Sequence, residues 1–75
     1  MSNLLAEARD RAKAAGRTFI AAQRDERRLV LRFENGKHDV TLSEVCEAVR
    51  VATRAQCDAE LAALALVQLE RLLAP

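Results

Sequence analysis

Three side chains in this chain are natural candidates for chemistry: Cys46, Cys57 and His38. A structural zinc requires four thiolate or imidazole donors, and two cysteines without C-x-x-C spacing plus one histidine do not supply them. Eleven residues of helix would hold Cys46 and Cys57 roughly 16 Å apart, beyond the reach of a disulfide. A cysteine nucleophile needs a neighbouring base and an exposed thiol. Both cysteines fall in helical sequence on a predicted inner face, so they read as small apolar core residues. His38 lacks an orienting carboxylate in the sequence pattern and reads as a ring packed at the edge of the core, opposite Phe33. Two glycines build no phosphate cradle, and none of G-x-x-x-x-G-K-[ST], G-x-G-x-x-G or G-x-S-x-G occurs. The expectation is a protein with no catalytic residues, no metal and no cofactor.

The elements around these residues are more legible. Residues 2–15 read as a helix, with Ser2 or Asn3 at its N-cap, Glu7 in its first turns and Gly16 as its stop after "RAKAA". Its apolar stripe, Leu4, Leu5, Ala8, Ala12 and Ala15, is thin. "RTFIAAQR", residues 17–24, mixes strand formers with helix formers and is assigned as a strand, the competing assignment being a second helix running through Arg28. Asn35-Gly36 between alternating segments predicts a β-hairpin with a type I′ turn. In that register Leu29, Leu31, Phe33, His38, Val40 and Leu42 share one face. Val30, Arg32, Glu34, Lys37, Asp39 and Thr41 share the other, with Arg32 opposite Asp39 and Glu34 opposite Lys37.

Thr41 with Glu44 forms a capping box that opens a helix with Leu42, Val45, Cys46 and Val49 inward. A second box, Thr53 with Gln56, leaves open a break near residues 51–53. One long helix over about 43–73, straight or kinked, is preferred because neither Gly nor Pro interrupts it before Pro75. From Leu61 to Val67 that helix is apolar on every side, so more than one neighbour must cover it. The ladder Ala59, Ala62, Leu66, Leu69, Leu73 has the three-four spacing of a helix–helix seam. One stripe is assigned to the chain's own sheet and another to a second copy or a partner protein, with Leu61, Leu64, Leu66, Leu69, Leu72 and Leu73 as the self-association surface. An arrangement in which the first helix absorbs the excess is the alternative. The predicted fold is therefore α+β, one domain over residues 1–75: an N-terminal helix, an antiparallel β-hairpin or three-stranded meander, and a long C-terminal helix packed on the sheet and used for dimerisation.

Length and charge bound the function. Seventy-five residues make a marginal core that usually needs a disulfide, a metal or a partner chain, and the third is the route left open here. The N-terminus lacks the order of a secretory signal and no apolar run could span a bilayer, so a cytoplasmic protein without membrane contact is expected. Net charge is +1, divided as +4 over residues 1–37 and −3 over residues 38–75. Near-neutrality disfavours a binder that works by neutralising many phosphates. The reading is a small non-enzymatic interaction module acting as a homodimer: a regulator, an adaptor or an inhibitor that occludes a larger protein partner, of the kind phages and other mobile elements carry. Arg28, Arg32, Glu34, Lys37 and Asp39 would form its partner-binding patch. The alternative is a nucleic-acid-binding regulator using the basic residues from Arg24 to Lys37, or a weak helix-turn-helix over residues 42–60 presenting Arg54, Gln56 and Asp58.

Overall fold

A computed structural model describes residues 3–36 and 39–74. It contains two helices, α1 (Leu4–Glu34) and α2 (Leu42–Leu73), and no strand among the described residues. The two helices pack antiparallel as a hairpin: Ala8 and Ala62 line one groove between them, Ala15 and Ala55 a second, Ala22 and Ala48 a third. The α+β expectation, with its β-hairpin, is thus overturned.

The physical reason lies in α1. Its half-buried residues Leu5, Ala8, Ala12, Ala15, Phe19, Ala22, Glu26 and Leu29 recur at alternating spacings of three and four, straight through Gly16. This seam repeat orients one continuous helix toward a partner helix. A glycine inside a helix costs only about 1 kcal/mol relative to alanine, too little to stop a helix held by packing on both sides. The segment assigned as a strand, residues 17–24, sits mid-helix, where the Thr18 hydroxyl donates to the Ala14 carbonyl oxygen at 3.0 Å and satisfies itself locally.

Asn35-Gly36 is a helix stop, not a hairpin turn. A type I′ turn needs positive φ at both residues. Gly36 has φ +72°, but Asn35 has φ −82°, and its amide still donates to the Leu31 carbonyl at 3.0 Å. Gly36 donates to Phe33 at 3.1 Å and turns the chain out of α1 in the left-handed conformation that glycine adopts at helix C-termini. The Arg32–Asp39 ion pair expected across two strands is present, formed instead between the last turn of α1 and the connection. Glu34 is exposed at the end of α1. The expected Glu34–Lys37 pair, His38 and the Ser2 cap lie outside the described residues.

Thr41 caps α2 as expected, its hydroxyl oxygen accepting the Glu44 amide at 3.2 Å. The helix then runs unbroken past Thr53 to Leu73. Its inner face is shifted by one position from the expected one. Val45, Ala48, Ala52 and Ala55 turn inward, whereas Leu42, Cys46 and Val49 are exposed. The ladder Ala59, Ala62, Leu66, Leu69 is a helix–helix seam as the spacing implied, and its partner is α1 of the same chain.

Among the described residues only Val40, Ala48, Ala52 and Ala55 are buried, and none of them is larger than valine. The Cα trace is a rod of 57 × 15 × 14 Å with a radius of gyration of 16.9 Å. A compact domain of this length would have a radius of about 11 Å.

Candidate functional site

The alanine seam decides where the chain's large apolar side chains go. Alanine layers let two helix backbones approach closely, but each removes only one methyl group from water, about 0.8 kcal/mol. In the C-terminal half of α2 the seam takes in Leu66 and Leu69, while Leu61, Leu64, Val67 and Leu72 are left exposed. A residue two positions from a seam residue lies roughly 200° round the helix from it. Leu61 follows Ala59 by two and Leu64 follows Ala62 by two, and 65% and 54% of their surface is exposed; Leu64 points away from α1, while Leu61 also borders the groove between the helices, beside Leu4, Glu7, Ala8 and Arg11. Val67 and Leu72 flank them, also exposed. The outward row of α2 reads Cys46, Arg50, Thr53, Cys57, Leu61, Leu64, Gln68, Arg71. Its first half is polar apart from the cysteines, and its second half carries the apolar patch.

The six leucines expected to form one self-association surface are divided by the structure. Leu66 and Leu69 are half-buried toward α1, and Leu69 and the more exposed Leu61 line a groove with Leu4, Glu7, Ala8 and Arg11. Leu61, Leu64, Leu72 and Leu73 remain exposed. The expected partner patch on an outer sheet face has no sheet to carry it. Arg28, Arg32 and Glu34 lie on the last turns of α1 and Asp39 in the connection, all exposed, while Lys37 is outside the described residues. Arg28 is held by Asp25 at 2.7 Å and Arg32 by Asp39, so two of these guanidiniums already have carboxylate partners.

Neither described cysteine is in a core. Cys46 and Cys57 are exposed free thiols on the outward row of α2, which corrects the core assignment. The sequence signal that would have placed them is the seam itself, since Cys46 and Cys57 each follow an inward residue, Val45 or Ala55, without continuing its three-four ladder. The helix-turn-helix alternative is overturned as well: residues 42–60 form continuous helix, with no turn between Arg50 and Arg54. Among the described residues no group of three or more His, Cys, Asp or Glu side chains could hold a metal ion, and no helix is long and apolar enough to cross a membrane.

The back of α1 differs in chemistry. At the same offset from its own seam it presents Arg17, Ala21, Arg24 and Arg28, all exposed. The back of α1 thus carries a basic row and that of α2 an apolar patch, and α1 also exposes Leu4, Ile20, Leu31 and Phe33 singly along its length. Compared with known protein families, curated proteins and solved structures, the chain matches none of them.

Proposed function

We propose that this chain is a small protein-interaction module that docks a helix of its partner on the outward face of α2, centred on Leu61 and Leu64. The observation that carries this reading is the order of burial in α2: its fully buried residues are the alanines Ala48, Ala52 and Ala55, Leu66 and Leu69 are only half-buried, and Leu61, Leu64, Val67 and Leu72 are exposed. Contiguous exposed apolar surface on a small protein is a mark of an interaction site. An apolar stripe at helical spacing is the form taken by helix-in-groove and bundle contacts.

The test uses tagged wild-type protein and a Leu61→Glu, Leu64→Glu variant as baits in a nuclease-treated lysate of the cells that make it. A stoichiometric protein retained by the wild type and lost by the variant supports the reading. Capture that is indifferent to the two substitutions counts against it.

A second reading rests on the row Arg17, Arg24 and Arg28, which would follow a polyanion along the back of α1. Phosphate binding there would weaken steeply with added salt and vanish with nuclease. Docking on Leu61 and Leu64 would tolerate salt.

A further inference from the structure

Surface area bears on which partner covers α2. The chain exposes 6100 Å² for a mass of 8.3 kDa. A compact monomer of that mass would expose about 4,600 Å², so the hairpin carries an excess of about 1,500 Å². A standard interface buries about 800 Å² on each partner, and obligate dimers bury more. The excess on one chain therefore matches what one chain contributes to an obligate dimer.

Charge then restricts how two copies can meet. Contact between two α1 helices would set Arg17, Arg24 and Arg28 of one copy against the same residues of the other, and like-charge juxtaposition costs several kcal/mol. Contact through α2 leaves the basic rows on opposite outer sides. Two orientations of α2 on α2 obey two-fold symmetry. A parallel pair opposes Arg50 to its own copy and Arg71 to its own copy, and aligns the two helix dipoles head to head. An antiparallel pair places neither arginine against its own copy, sets Arg71 level with Arg54 when Leu61 meets Leu64, and puts the dipoles in opposition, the favourable sense.

We propose that the partner docked on α2 is a second copy of this chain, paired antiparallel about a two-fold axis midway between Leu61 and Leu64, so that the four helices lie side by side in the order α1, α2, α2, α1. This rests on the reading of α2 as a docking face and names its occupant. Helices of this length pair antiparallel along apolar stripes of this kind. In this register Leu61 packs beside Leu64 of the other copy, and Cys57 lies opposite its Gln68. The two Cys57 thiols stand about 16 Å apart along the axis, too far to bridge.

The register gives a test independent of partner identity. In a Cys46→Ser background, Gln68→Cys is expected to convert most of the protein to a covalent dimer under mild oxidation, through Cys57 and the thiol introduced at position 68 of the other copy. The Cys46→Ser protein alone is expected to stay uncrosslinked. A dimer joined through Cys57 in that control would mean parallel pairing and would overturn the arrangement. Wild-type protein sedimenting as a monomer at high concentration would overturn the second copy as occupant. If the wild type is monomeric and the Leu61→Glu, Leu64→Glu bait still loses a captured protein, the docking face stands with another occupant. If the wild type is monomeric and capture ignores those substitutions, the docking reading fails too.

Discussion

The backs of the two helices stand at the same offset from a shared seam and have opposite chemistry. On α1 the row at positions 17, 21, 24 and 28 is Arg, Ala, Arg, Arg; on α2 the row at 57, 61, 64 and 68 is Cys, Leu, Leu, Gln. Backbone geometry is the same in both, so the contrast lies wholly in the side chains. A helix that faces water on its outer side carries charge there, and a helix that faces another protein need not. The seam between the two is thin in apolar mass, and on the proposed reading the outer face of α2 is covered by what it docks.

The contrast breaks most severely at Leu61 and Leu64. Replacing both with glutamate is expected to lower stability by about 3 kcal/mol or more per chain, since each leucine withheld from burial forfeits about 1.5–3 kcal/mol. Circular dichroism during thermal unfolding should show a midpoint lowered by more than 10 °C, at about 4–8 °C per kcal/mol for a chain of this size. The matched change on α1, Arg24→Glu, is expected to leave the midpoint nearly unmoved, because exposed substitutions away from packed features usually stay within about 0.5 kcal/mol.

The seam is expected to respond in the reverse sense. Ala52 is 3% exposed, so Ala52→Leu overfills a layer built for close approach and is expected to cost about 1–3 kcal/mol by urea titration. Ala21→Leu, on the outer side of α1, should cost almost nothing in the same titration. Smaller still are the effects at the helix stops. Thr41→Ala removes the hydroxyl that accepts the Glu44 amide and should cost about 1 kcal/mol. The two glycines should separate: Gly36→Ala forces alanine to φ +72° and destabilises by about 1 kcal/mol or more, whereas Gly16→Ala, with open space around the added methyl, stabilises by up to about 1 kcal/mol. Equal effects at the two positions would contradict the assignment of one as helix interior and the other as helix stop.

These substitutions also mark where the sequence was legible. The start of α2 could be read from Thr41 and Glu44 because a capping box is a local device, complete within four residues. Its continuity could be read from the lack of Gly and Pro, and its C-terminal seam from the ladder beginning at Ala59. The length of α1 was hidden for three physical reasons. Half of its seam residues are alanine, so the stripe carried little hydrophobic contrast. Leu29, Leu31 and Phe33 satisfy a two-residue period over a window too short to exclude a helical one. Asn35-Gly36 suits both a type I′ turn and a helix stop, since both place glycine at positive φ, and only the φ of the asparagine separates them. A charged residue in the seam added to the ambiguity: Glu26 is half-buried between Ala22 and Leu29 on the inner face, where a strict apolar repeat would carry a leucine.

The outer face of α2 was legible as a surplus, in that a helix apolar on every side needs two neighbours. The sequence pattern assigned one of them to a sheet because the hairpin signal outweighed the seam repeat of α1. With α1 as a full-length helix, the surplus in the C-terminal half of α2 is Leu61, Leu64, Val67, Leu72 and Leu73, and Cys46 and Cys57 are exposed on the outward row.

A fold that relies on a second copy to cover this face loses stability on dilution, so the decisive experiment follows the thermal unfolding midpoint of the wild-type chain across about a hundredfold range of concentration. The expected midpoint falls steadily on dilution, together with a sedimentation mass of two chains at the concentrated end. A midpoint that stays fixed over the whole range, with the mass of one chain throughout, would contradict it.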